Sequence, residues 1–207
     1  MLLTNRHQHV YALSFNGTDQ YVNNFGEPDD FFGSSDFTLS FWAKLDDNSR
    51  AVDIILDKGN ITVKFESSIT ISTTDYKSLT IDLSDTNGNN TIINFGYAKV
   101  GSLQVDNHFH YYVFQKNGND PTNFTLHRDG IAIDNNVYTA KKITNNVGSA
   151  INDLTSASSL RLGYDGTDYF KGYLDEILIQ KSLVTLNQIQ DRFNNFQGAY
   201  ISSLANL

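Results

Sequence analysis

The chain has three glutamates, Glu27, Glu66 and Glu176, and none has another glutamate within reach along a strand. Retaining hydrolysis of a glycosidic bond needs two carboxyls about 5–5.5 Å apart. Glu66 opens the run ESSIT, with no acid at the alternate position that would supply the second. An aspartate pair assembled from separate strands stays open. His108 and His110 stand two apart, a spacing that puts both on one strand face and suits either a transition metal or a hydrogen-bonded pair. No third ligand accompanies them, so the hydrogen-bonded pair is the preferred reading. The sequence has no nucleophile elbow, phosphate-binding loop, dinucleotide glycine pattern or zincin motif. It also has no cysteine, which excludes disulfides and thiolate chemistry.

Residue types suited to binding are better represented. Loop 164–170, YDGTDYF, gathers Tyr164, Asp165, Asp168 and Tyr169 on a turn-rich scaffold. Aromatic faces with a few fixed polar groups suit sugar recognition, and loops commonly carry it. Plain turn chemistry explains the same residues equally well. Loop 27–32 adds acids and aromatics, with Asp29 and Asp30 beside Glu27. Trp42, the single tryptophan, shares a strand face with Thr and Lys; it either lines a ligand-facing sheet or packs beneath a covering segment.

The formal net charge of −8 argues against a nucleic-acid footprint or an anionic membrane surface, since both need a basic face. Hydrophobic residues make up 40 % of the 207, enough for a substantial core, and no window is long and apolar enough to span a membrane. The opening residues MLLTNRHQHV do not read as a signal peptide. Four N-x-S/T sequons, at Asn16, Asn60, Asn89 and Asn123, are what this Asn- and Thr-rich composition gives by chance.

The elements that must position these residues read almost entirely as strands. Residues 8–23 suggest two strands joined by an Asn-Gly turn. Phe37 to Leu45 alternates, with Phe37, Leu39, Phe41, Ala43 and Leu45 on one face and Thr38, Ser40, Trp42 and Lys44 on the other. SLTIDLS and TIINFGYAKV flank the turn DTNGNN as a hairpin, and 109–118 pairs with 124–133 across NGNDPTN. Segment 134–159 reads as a long polar connection with one short strand. LRLGYDGTDYFKGYLDEILIQK, at 160–181, reads as strand, loop and long strand. SLVTLNQIQDRFNNF is the one credible helix, with Gly198 as its stop, and the apolar tail after it is expected to pair with the sheet or a neighbouring domain. No linker or repeat divides the chain, so residues 1–207 read as a single domain.

Several segments, in order, resemble the laminin-G-like group of the concanavalin A-like lectin/glucanase superfamily: ALSFNGTDQYV (12–22), FTLSFWAKL (37–45), ILDKG (55–59), FHYYVFQKNG (109–118), LHRDGIAI (126–133) and LRLGYDGTDYFKGYLDEILIQKSL (160–183). The resemblance covers about residues 10–195. It departs at Phe109, Tyr111, Arg128 and Gln20, and matches little over 60–107.

The resemblance implies an all-β jelly-roll sandwich of two antiparallel sheets with one short C-terminal helix. It implies a structural Ca2+ linking Gly17, through its carbonyl, to Asp175, with Asp19 or Asn16 nearby; Asp175 bonded to backbone N–H groups is the competing reading. It also favours Trp42 packed beneath a cover. Glycosidases of the superfamily place their acid and nucleophile on one strand as E-x-D-x-(x)-E, and that motif does not occur here. The expectation is therefore a non-enzymatic glycan-binding or adhesion module of a larger secreted, particle-surface or cell-surface protein, with Tyr164, Asp165, Asp168, Tyr169 and Trp42 as candidate ligand residues. The alternatives are a structural or protein-interaction domain without a sugar site, and an atypical glycoside hydrolase.

Overall fold

A computed structural model describes residues 12–24, 32–46, 50–71, 74–97, 108–133, 140–145 and 150–204. In chain order its strands are β1 (Leu13–Asn16), β2 (Val22–Asn23), β3 (Phe37–Leu45), β4 (Val52–Asp57), β5 (Ile61–Ile71), β6 (Thr74–Ser84) and β7 (Asn90–Tyr97). They continue with β8 (His110–Lys116), β9 (Thr125–Arg128), β10 (Ile131–Ala132), β11 (Ala140–Asn145), β12 (Arg161–Leu162) and β13 (Lys171–Gln180), before helix α1 (Leu186–Leu204). Among the described residues these strands form a six-stranded sheet, β1-β13-β3-β8-β9-β10, and a seven-stranded sheet, β11-β7-β6-β5-β4-β12-β2. Neighbours pair antiparallel throughout, so the expected sandwich of two antiparallel sheets is the observed fold.

The alternation in β3 sets the layers. Phe37, Leu39, Phe41, Ala43 and Leu45 enter the core between the sheets and meet Val63, Phe65, Leu79, Ile81 and Ile93 of the other sheet. Phe41 stacks on Tyr112, while Phe37 meets both Phe32 and Phe114 edge to face. The opposite face of β3 is covered as well. Trp42 packs with Tyr111, Val113, Val184 and Ile189 in a second, smaller core beneath α1. Thr38 Oγ1 donates to Ser182 O at 2.7 Å, closing that face beside the helix.

Thr185 caps α1 reciprocally with Gln188: Thr185 N–H donates to Gln188 Oε1 (2.8 Å) and Gln188 N–H to Thr185 Oγ1 (3.3 Å). The helix passes through Gly198, so that glycine is no stop, and the tail expected to pair with the sheet or a neighbouring domain continues α1 as far as Leu204. An interior glycine costs a helix only about 1 kcal/mol, too little to end it. No helix among the described residues is long and apolar enough to cross a membrane.

The first two strands also differ from expectation. The turn after Asn16 reverses nothing within one sheet: β1 pairs with β13, whereas β2 pairs with β12 in the other sheet. Asn16 Oδ1 accepts the backbone N–H groups of Thr18 and Asp19 at 2.9 and 3.2 Å, an Asx turn that carries the chain from one layer to the next. The hairpin around 85–89 and the β8–β9 pair are as expected. Within the long connection 134–159, β11 adds an edge to the seven-stranded sheet, and 150–158 knits one end of the sandwich. There Thr86 N–H donates to Asp153 O (2.9 Å), Ile151 N–H to Asn119 O (2.8 Å) and Asn60 Nδ2 to Thr155 O (2.7 Å). The acids Glu27, Asp29 and Asp30 lie outside the described residues.

Candidate functional site

The loop between β12 and β13 closes on itself. Asp165 Oδ1 accepts the N–H groups of Thr167 and Asp168 at 2.8 and 2.9 Å, and Tyr164 and Tyr169 form an isolated bridge across the turn. Their rings stack with centroids 4.3 Å apart at 19°. Tyr21, entering from the segment before β2, joins them at 5.0 Å from Tyr164 and 6.4 Å from Tyr169. Tyr21 is 45 % exposed, and its two partners are half-buried. Three phenol rings from opposite ends of the chain thus form one aromatic platform where the β2–β12 edge meets the turn after β1.

The platform is held from behind by two arginines. Arg161 lies 5.4 Å from the Tyr164 ring centre; its Nη2 donates to Asp57 Oδ2 at 2.6 Å and to Asp165 O at 2.8 Å. Asp57 is buried, and its Oδ1 accepts from Thr62 Oγ1 at 2.9 Å. Arg50 donates through Nη2 to Tyr169 O (3.0 Å), and its Nε lies 3.2 Å from Asp53 Oδ1. Asp53, fully buried, also accepts the N–H of Lys171 at 3.0 Å. Partial burial, a hydrogen bond with Tyr164 and the nearness of Asp19 raise the Tyr169 phenol above its ordinary value. The platform offers apolar ring faces and phenolic hydroxyls.

Of the residues expected from sequence, Tyr164, Asp165, Asp168 and Tyr169 come together in this loop, with Asp165 serving as its turn cap. Trp42 does not join them. It is 1 % exposed, stacked between Tyr111 (5.2 Å) and Phe193 (5.9 Å) under α1, so it packs and presents no ligand surface. Tyr21, Arg161 and Arg50 were missed. Nothing local marks them, because only the sheet topology brings them to the loop.

The calcium residues are not brought together either. In β1–β13 Asn16 pairs with Lys171 and Leu13 with Leu174, so Gly17 lies beyond Lys171 while Asp175 lies past Leu174. Four residues of strand intervene, so five rises separate them, about 17 Å. Asp175 is half-buried opposite Trp42, at a β-bulge, and its Oδ1 accepts the N–H of Glu176 at 2.8 Å. Glu176 takes φ 47°, and the carboxylate fastens that bulge. Gly17 also takes a positive φ, 79°, and a Cβ there would meet Arg50 Nη1 at 3.0 Å, so a cation of the protein already faces it. Asp19, exposed, accepts from Asn16 Nδ2 at 2.8 Å. These residues do not fit an ion shared by Gly17 and Asp175. Among the described residues no group of three or more His, Cys, Asp or Glu is placed to hold a metal.

His110 belongs to a separate cluster. Arg128 Nη2 lies 2.7 Å from its Nε2 and Asp129 Oδ2 2.7 Å from its Nδ1. A guanidinium only donates, so Nε2 accepts and Nδ1–H donates to the carboxylate. Both ring nitrogens are engaged within the protein. His108 lies just ahead of β8.

A laminin-G-type family model of the concanavalin A-like lectin/glucanases superfamily matches residues 16–190, and the chain belongs to that superfamily. Solved structures with the same fold include the binding domain of botulinum neurotoxin serotype D, with TM-score 0.56 at 14 % identity over 88 % of this chain and 41 % of that one. Another is the CBM40 domain of the Ruminococcus gnavus IT-sialidase bound to α2,3 sialyllactose, with TM-score 0.55 at 14 % identity over 88 % and 95 %. A third is the LG4-5 pair of the mouse laminin α1 chain, with TM-score 0.51 at 8 % identity over 81 % and 40 %. The chain thus spans less than half of the toxin domain and of the laminin pair, and nearly all of the CBM40 domain. A search of the curated proteins finds no match.

Proposed function

We propose that this domain is a non-catalytic carbohydrate-binding module, and that the Tyr21–Tyr164–Tyr169 platform is its binding surface. One observation carries the reading: three tyrosines from distant parts of the chain form a partly exposed stack, 4.3–6.4 Å between centres, fixed from behind by Arg50 and Arg161. Core packing does not require an exposed ring at Tyr21, whereas a sugar's C–H face does require a rigid aromatic surface. The CBM40 relative, complexed with sialyllactose, supports the reading by analogy of fold alone. The module serves within a longer surface or secreted protein and acts by attachment.

Binding of the purified domain to an immobilised glycan array, compared with Tyr21→Ala, tests this. Truncating the exposed ring weakens binding about tenfold, equivalent to about 1.4 kcal/mol. The variant's melting midpoint stays near that of the parent, because Tyr21 is 45 % exposed. An array on which the parent binds nothing at high density, or on which both proteins bind alike, removes the platform as a glycan site.

A further inference from the structure

The charges around the platform fix the class of sugar it takes. Two arginines approach it, and each is engaged by a buried carboxylate: Arg161 by Asp57 at 2.6 Å and Arg50 by Asp53 at 3.2 Å. Arg161 Nη2 also donates to Asp165 O, and Arg50 Nη2 donates to Tyr169 O. Each guanidinium is thus already engaged by a carboxylate and a carbonyl, whereas bidentate recognition of an incoming carboxylate or sulfate uses an open fork. Arg161 instead lies against the Tyr164 ring, which makes it a positioning residue.

The rim carries the opposite sign. Asp19 is exposed on the turn beside Tyr21, and its charge is felt by the Tyr169 phenol. Asp165 and Asp168 stand in the loop itself. Beside Gly17 stand the stem of Lys171 and Nη1 of Arg50. Three carboxylates therefore stand on the two segments that carry the rings, and two more are paired with the arginines. An anionic sugar placed on the rings meets like charge, whereas the hydroxyls of a neutral sugar find carboxylate acceptors.

We infer that the tyrosine platform takes neutral saccharides, stacking one ring face on Tyr21 and donating sugar hydroxyls to the aspartate rim, and that it discriminates against sialylated, uronic and sulfated sugars. The inference rests on the platform being the glycan site.

The test uses the whole chain on an array printed as matched pairs: lactose with 3′-sialyllactose, galactose trimers with galacturonate trimers, and unsulfated with sulfated disaccharides. The neutral member of a bound pair is expected to give about tenfold or more the signal of its anionic partner. Its affinity stays flat from low to high salt, because no ion pair is screened. Asp19→Asn combined with Asp168→Asn narrows the preference by raising the anionic signal; asparagine at 19 keeps an acceptor for Asn16. Equal or stronger binding of the anionic members by the parent overturns this inference and leaves the glycan site standing. Binding of neither class overturns both. A preference unchanged in the double variant assigns the discrimination elsewhere and overturns the role of the rim.

Discussion

Arg161 Nη2 lies 2.6 Å from Asp57 Oδ2 and joins the first residue of β12 to the last of β4. The pair ties β12 to β4 next to the β2 edge of the seven-stranded sheet, while the guanidinium backs the Tyr164 ring. Removing the cation leaves a buried carboxylate with only neutral donors. Breaking a buried pair costs about 3–5 kcal/mol, and Arg161 is a quarter exposed, so Arg161→Met is expected to cost about 2 kcal/mol. In a domain of this size that lowers the melting midpoint by roughly 4–8 °C, readable by calorimetry. Arg161→Lys recovers part of the loss, since the charge returns without the guanidinium geometry.

Arg50 has a consequence for metal dependence. It stands against Gly17 and ties Asp53 to the backbone of Tyr169, linking the first turn, β4 and the β12–β13 loop. A Ca2+ ion needs about six to eight oxygens in one place, and the register holds Gly17 and Asp175 about 17 Å apart. The melting midpoint is therefore expected to be the same in EDTA and in millimolar calcium. A midpoint that rises with calcium reveals a cation site among other oxygens.

The layers of this fold were legible wherever the period-two pattern and a turn agreed. β3, the β6–β7 hairpin and β8–β9 fall where alternation and Asn-Gly-rich turns place them. A turn signal says that the chain reverses; it does not say which sheet receives the next strand. That is why the Asn16 turn read as a hairpin and proved to be a crossing between layers. The same limit governs the site. Tyr164 and Tyr169 were visible as a loop pair, but Tyr21, Arg50 and Arg161 acquire meaning only through β2–β12 and β12–β4 pairing. The resemblance implied a metal ligand at Asp175, with a backbone N–H partner as the competing reading; the bulge supplies the N–H of Glu176.

Asp85 makes one end of the sandwich sensitive to acid. Burial pushes its carboxyl up, yet donors from Asn89, Asn152 and Asn87 outweigh that and bring it down to about 2 from 3.8. A carboxyl depressed in the folded state stabilises the fold above its unfolded value, and that contribution is lost as pH falls through the folded one. Stability is therefore expected to decline between about pH 4 and pH 2. Asp153, lowered by hydrogen bonds from Thr155, adds in the same direction. Asp85→Asn removes the Asp85 share: it is less stable than the parent at pH 7, and urea midpoints measured at pH 6, 4 and 2.5 show a flatter decline.

Trp42 is the one tryptophan in the chain, so its fluorescence separates packing from ligand contact. At 1 % exposure between Tyr111 and Phe193, the indole is expected to emit as a buried ring and to resist quenching by acrylamide. A saccharide bound at the tyrosine platform leaves that emission unchanged, since Trp42 lies beneath α1 on the outer face of the other sheet. A spectral shift on binding would place the sugar at α1 instead. Trp42→Ala opens a cavity under the helix and costs about 3–5 kcal/mol, the range for deleting a large buried aromatic. At a temperature where the variant is still folded, its glycan affinity is expected to equal that of the parent.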